Sequence, residues 1–323
     1  MADPLLGWIA PQDRTQDQQD AHAKAMAMLP RFLMAPVVTG GPFKVMLTDF
    51  WKKLEVIADI GFEFTGFRQL TGSCVGVSDG NCVLALSAIQ RMIADAPTKA
   101  FLPFWGFSYG RTRYLEGDRG QGEGAVDSVM GTQNVKEGIL EATVPGLPTF
   151  DRSDGLALTK KQELQWSDGG SALVTGFASQ AKVHLMGTRS PLYSVQDIKT
   201  AVLNGYPVLD GCNNFVGSGS IKSTQGNPAY ARGHYDGRGG HSTCILGYWD
   251  HPNDGPLYMY SNQWDGSTYP TDPAGAGRCC VWIPESEMTK LFSTGGGDGE
   301  TMALSHMAAF PVQVDRILNL LDA

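Results

Sequence analysis

The apolar residues of this chain change their spacing partway along it, and that change limits the folds open to it. In FKVMLTDFWKKLEVIADI (43–60), Phe43, Met46, Leu47, Phe50, Leu54 and Ile57 recur on one helix face. Residues 14 to 60 therefore read as helical, with APVVTGGP (35–42) as a loop. A second stripe, Cys82, Ala85, Leu86, Ile89, Met92 and Ile93, stops before Pro97, and Asp79 and Gly80 weaken its first turns. Ser194 and Asp197 form a capping pattern, Ile198 and Val202 follow at helical spacing, and Gly205 ends that helix. Beyond it the runs are short and β-rich: YPVLDGC, HSTCILGYWD, PLYMYSNQW and RCCVWIPE, separated by Gly, Pro, Asn and Asp. Helices first and strands later specify an α+β protein. The stretch from 105 to 190 is Gly-rich and polar, with one short helix expected at 124–138, and STGGGDGE (293–300) reads as a loop rather than a phosphate cradle.

Which functions such a chain can serve is narrowed by its charge and cysteines. A net charge of -8 and a pI near 5.2 argue against nucleic acid or an anionic membrane as partner. No run approaches the roughly 18 apolar residues of a membrane span. MADPLLGWIAPQDRTQDQQD lacks the basic start and unbroken apolar run of a secretion signal, so a cytoplasmic or virion location is expected. The six cysteines include no C-x-x-C pair, and neither a metal nor a cofactor is expected. With 42% apolar residues, the 323-residue chain can bury the core of one large domain or of two closely packed halves.

The chemistry is carried by three places. Cys74, in GSCVG (72–76), stands at a helix start, where backbone N–H groups favour a thiolate and small neighbours leave room for a carbonyl. Taken alone, such a cysteine is usually a buried structural thiol. His241, in GGHSTCILGYWD, opens a strand after two glycines; His234, in ARGHYDGRGG, reads as a loop residue at the surface, and His22, His184, His251 and His306 have no comparable setting. In YMYSNQWDG, Asn262 can accept a hydrogen bond from an imidazole N–H, and Trp264 can shield that bond from water.

The order Cys, His, Asn-x-Trp resembles the papain-like cysteine peptidases. GSCVGVS is similar to the family's nucleophile segment, HSTCILGY to its histidine strand, NQWDG to its Asn-Ser-Trp-Gly, and IKTAVLNGYPVLDG to its helix followed by a Gly-Pro-Val strand. The resemblance runs from about residue 64 to 285. It implies two lobes, a helical lobe (61–190) with the nucleophile helix and an antiparallel, β-barrel-like lobe (191–323), preceded by a helical extension (1–60). It also implies that Cys74 attacks an acyl carbon, His241 shuttles the proton and Asn262 orients His241, with Trp264 supporting the site. Gln69 is the implied oxyanion donor, and Gly122 and Gly124 of GQGEG are the implied contacts to the backbone of a peptide or protein substrate. The chain departs from the family in three places: Gln69 lies five residues before the cysteine rather than six, Val75 replaces a tryptophan and Gln263 a serine. GNCVLALSAI offers Cys82 as a competing nucleophile, but Cys74 aligns without a gap. Two readings follow: an active thiol peptidase or amidase of bacterial or phage type, or a papain-like fold kept as an assembly component, such as a virion protein. Residues 1–60 are an arm touching neighbouring subunits in the second, and an inhibitory pro-segment in a zymogen reading that sits between the two.

Overall fold

A computed structural model of the chain describes residues 7–30, 44–58, 66–93, 101–118, 123–153, 155–168, 172–212, 216–222, 228–235, 239–264, 269–292 and 300–307. Helix α1 (Gln16–Met26) starts at a capping box in which Thr15 and Gln18 satisfy each other's amides. Strand β1 (Lys44–Met46) and helix α2 (Thr48–Ala58) follow. The helix spacing from Phe43 onward thus fails at its start: Lys44–Met46 pair antiparallel with Trp249–Gly247, and that ladder overrides the local period. Phe43 itself lies outside the described residues.

After the short strand β2 (Phe67–Arg68) comes the central helix α3 (Cys74–Ile93), which starts at Cys74 without weakness at Asp79 or Gly80. Asp79 is ion-paired to Arg189 and accepts the Asn134 amide at 2.7 Å, while Gly80 lets Phe67 and Trp105 approach within contact of the helix. Buried polar groups of this kind stabilise only when paired, and the partners lie far away in sequence.

The segment that local patterning leaves unread holds several helices and two short strands. It contains α4 (Trp105–Leu115), α5 (Asp127–Glu137), β3 (Leu156–Ala157), α6 (Lys160–Ser167), the short α7 (Ala172–Gly176) and α8 (Ala178–Ala181), and β4 (Met186–Pro191). The helix expected at 124–138 is α5. Next are α9 (Val195–Leu203), capped by the Ser194 side chain and followed by Gly205 at φ +77°, then β5 (Val208–Cys212), β6 (Val216–Lys222), β7 (Tyr230–Tyr235), β8 (His241–His251), β9 (Gly255–Ser261), β10 (Cys280–Pro284), α10 (Glu285–Leu291) and β11 (Thr301–Met307). His234 is exposed, as expected, but on strand β7 rather than in a loop.

The strands form one sheet in the order β4-β11-β5-β8-β9-β10-β7-β6, with β1 added against β8. It is antiparallel except for β10 beside β7, and among the described residues it does not close into a barrel. Helix α3 lies across β8, β5 and β11, with α2 and α4 on its other sides. Its first residue is thereby brought against the start of β8.

Candidate active site

Strand pairing places Cys212 opposite His241 and Gly211 opposite Ser242. The Ser242 amide donates to Cys74 Sγ at 3.4 Å, so the residue after His241 holds the sulfur at the head of α3. His241 Nε2 lies 3.0 Å from Asn262 Oδ1, and the ring stacks on Trp264 with centroids 4.7 Å apart and planes 27° apart. The Gln263 amide also donates to Asn262 Oδ1, at 2.8 Å, while Asn262 Nδ2 donates to the Tyr269 hydroxyl at 2.6 Å. A backbone amide can only donate, so that atom of Asn262 is the oxygen and His241 Nε2 carries the proton. In the neutral ring the lone pair then sits on Nδ1, which is buried and has no hydrogen-bond partner among the described residues. Cys74, His241, Asn262 and Trp264 are thus gathered in one place.

Gln69 is buried beside them, but its side chain donates to the Thr71 carbonyl of its own loop at 2.6 Å. Of the two glycines expected to meet a substrate, Gly122 lies outside the described residues; Gly124 donates to the Tyr109 hydroxyl at 2.9 Å and sits at φ +109°. Cys82 is deeper on α3, against Cys244 of β8, and burial raises its thiol well above the usual range, with Cys244 adding to the rise.

Three groups at the site were not legible in the sequence. Gln263 Nε2 donates to the carbonyls of Ser242 (2.6 Å) and Cys74 (3.2 Å), tying the start of β8 to the head of α3. Ser242 Oγ donates to Asp127 at 3.1 Å and shares a 2.8 Å hydrogen bond with Ser78. The third is the N-terminal segment Gly7–Ile9, which lies over the cysteine. Ala125 N donates to the Gly7 carbonyl at 2.8 Å and Ile9 N to the Ala125 carbonyl at 3.1 Å, a parallel bridge beside Gly124. A Cβ on Gly7 would overlap the Gly72 carbonyl, and one on Gly240 would overlap the Trp8 carbonyl. The apolar GWIAP of this segment was the available signal, and nothing in it specifies a partner 65 residues on.

Burial sets the protonation states. Cys74 and His241 are both 0% exposed. Burial pushes the Cys74 thiol far up, although the amides of Ser242, Gly7 and Val75 lean on the sulfur, and Asp127 raises it further. Burial lowers His241 to about 4 against the opposing bond to Asn262. The covered centre therefore holds a thiol and a neutral imidazole, not an ion pair.

No family model and no curated protein sequence matches the chain. Solved structures do. Xylellain, a cysteine protease from Xylella fastidiosa, superposes with a TM-score of 0.52 at 16% identity, covering 94% of this chain and 96% of that one. Procathepsin B S9 from Trypanosoma congolense gives 0.50 at 12% identity over 94% and 91%. The cysteine protease and lectin-like domains of Cwp84 from Clostridium difficile give 0.50 at 11% over 92% and 60%. At such identities the likeness speaks for architecture, and it agrees with the open sheet, the central helix and the placement of its first residue: this chain has the papain-like cysteine protease fold.

Proposed function

We propose that the protein is a cysteine peptidase or amidase whose centre is covered by its own N-terminus. The observation that carries this reading is the tautomer fixed at His241: Nε2–H on Asn262, Nδ1 left as a base, and the Cys74 sulfur held at the neighbouring residue. In the reaction, His241 Nδ1 takes the Cys74 proton, Sγ attacks the acyl carbon, and the imidazolium returns the proton to the leaving amine. Water then cleaves the thioester with His241 as its base. The Cys74 N–H, which has no intrahelical partner at the helix start, and the Gln69 side-chain amide, once turned from Thr71, hold the oxyanion.

The cover is residues 7–29 rather than all of 1–60, because Phe50 and Trp51 of α2 are fully buried in the core and β1 is part of the sheet. α1 lies on α5 of its own chain, which favours a pro-segment over an arm reaching to neighbouring subunits. The assembly-protein reading keeps one supporting observation, the complete burial of the centre. Among the described residues no helix is long and apolar enough to cross a membrane.

The test uses the full chain and Gly7→Val, whose side chain cannot fit against Gly72. With iodoacetamide at pH 6 to 7 and mass mapping, the wild type should react slowly at Cys74, and Gly7→Val at least about tenfold faster, as the uncovered fraction rises. Cys74→Ala should abolish the reaction and Cys82→Ala leave it intact; peptide hydrolysis should appear with Gly7→Val. Labelling at Cys82, or none at Cys74 in Gly7→Val, overturns the reading.

A further inference from the structure

The loop 69–73 carries Gln69 and leads into the Cys74 amide, yet it has no regular structure of its own. It is held from outside. Glu163 of α6, fully buried, accepts the Leu70 amide with both carboxylate oxygens, at 2.9 and 3.2 Å, and the Ser73 hydroxyl with one of them. Glu123 accepts the Gly72 amide and Tyr109 donates to the Gly72 carbonyl, each at 2.9 Å, and the Gln69 backbone N–H donates to the Gln263 carbonyl at 2.8 Å.

Among the described residues Glu163 grips the loop on either side of the Gly72 peptide, at Leu70 and at Ser73. Among the described residues, the titratable groups on the elements that meet the loop and α6 include Cys74 at the head of α3, Tyr109 and Arg113 on α4, Glu123 ahead of α5, and the exposed Lys160 and Lys161 on α6 itself. Arg113 donates to the carbonyls of Ser167 and Gly124. Every hydrogen bond described for the Glu163 carboxylate comes from a neutral donor, and among the described residues it is the loop's own N–H and O–H groups that favour its charge. Burial raises it to about 7 against the bonds of Ser73, Leu70 and Thr71.

We propose that Glu163 is a positioning residue for acyl transfer: ionised, it clamps Leu70 and Ser73 and so aims the Cys74 N–H at the substrate's carbonyl oxygen, and it fixes the loop from which the Gln69 side chain turns away from Thr71 to join it. This rests on the peptidase reading above. A protonated Glu163 must itself donate through one oxygen, and the Leu70 N–H cannot accept; the clamp therefore slackens on acidification. Alkylation of Cys74 needs no oxyanion donor, whereas acylation does.

The experiment compares two rates at Cys74 in the full chain. One is acylation by the p-nitrophenyl ester of N-benzyloxycarbonylglycine, the other alkylation by iodoacetamide. Both need the thiolate and an open cover, so their ratio isolates the oxyanion side. In the wild type the ratio should rise about tenfold from pH 5.5 to 8.5 with a midpoint near 7. In Glu163→Gln it should be pH-independent and about tenfold lower, and Glu163→Asp should recover part of the rise. The Leu70 amide resonance should titrate with the same midpoint in the wild type and not in Glu163→Gln. Equal ratios in wild type and Glu163→Gln, with an unmoved Leu70 resonance, overturn the clamp alone. A Leu70 resonance that titrates while Cys74 accepts neither reagent overturns the peptidase reading, and with it the catalytic role of the clamp.

Discussion

At the scale of single residues, the covered centre has a measurable pH signature. His241 falls from 6.5 to about 4 on folding, chiefly by burial, so between those values the unfolded chain binds a proton that the folded one does not. Its contribution to stability is intact above pH 6.5 and is lost as pH falls toward 4. At pH 4.5 the loss is about 2.5 kcal/mol, because each tenfold difference in proton affinity between the folded and unfolded chain is worth about 1.4 kcal/mol. Urea unfolding of wild type and His241→Asn at pH 7 and pH 4.5 gives the double difference, which should recover about that amount. A double difference near zero would mean that the imidazole is already wet, and hence uncovered, in the folded protein. The same burial explains why the residues were legible but their state was not. Cys74, His241, Asn262 and Trp264 sit in short motifs whose order is read directly from the chain, whereas a thiol in place of a thiolate follows from complete burial among distant segments, which no local pattern encodes.

Among the elements, α1 is the one whose attachment decides access to the cysteine. It buries only Gln18 and Ala25 of its own residues, so apolar burial holds it weakly. Polar ties do the rest. Arg14 Nη2 lies 3.0 Å and His22 Nδ1 2.8 Å from the buried Glu300, Gln18 Nε2 donates to Asp118 at 2.6 Å, and Arg14 Nε donates to the Ile9 carbonyl at 3.2 Å. Burial pushes Glu300 up, but His22 and Arg14 outweigh it and leave its carboxyl below the usual range. Removing one partner of a buried pair costs about 3–5 kcal/mol. If about half of that falls on the docked arm, Arg14→Ala should speed iodoacetamide labelling of Cys74 by tenfold to a hundredfold. An unchanged rate would show that Arg14 does not hold the cover down. The ease of reading the elements follows a similar division. α3 and α9 are legible from their own stripes and caps, and β5, β8, β9 and β10 from β-rich runs between turn residues. α4, α6 and β1 are not, because their residues are chosen for distant partners: Arg113 for Ser167 and Gly124, Glu163 for Leu70 and Ser73, Lys44–Met46 for the edge of β8.

For the whole molecule, the body and the N-terminal cover differ in how they are held, and this sets how the protein opens. The body is tied by α3, buried on every side through Gln90, and by a sheet whose order brings β11 near the C-terminus between β4 and β5. Such long-range connections break only with the core. The cover is tied by the Ala125 bridge and the Glu300 contacts, so it can lift while the core stays closed, at a free energy below the roughly 5–15 kcal/mol of global unfolding. Native-state hydrogen exchange reads this directly. The Ile9 and Ala125 amides, which form the bridge, should exchange through an opening of low free energy with little urea dependence, whereas the Val77 amide at the head of α3 should exchange only near the global limit. Cys74 is reached through the same opening, so its protection against alkylation, converted to a free energy, should equal that of the Ile9 amide and show the same shallow urea dependence. A Cys74 protection equal to that of Val77, with the full urea dependence of unfolding, would mean that cover and core form one cooperative unit, and a centre buried in that way would serve the assembly-protein reading better than the peptidase one.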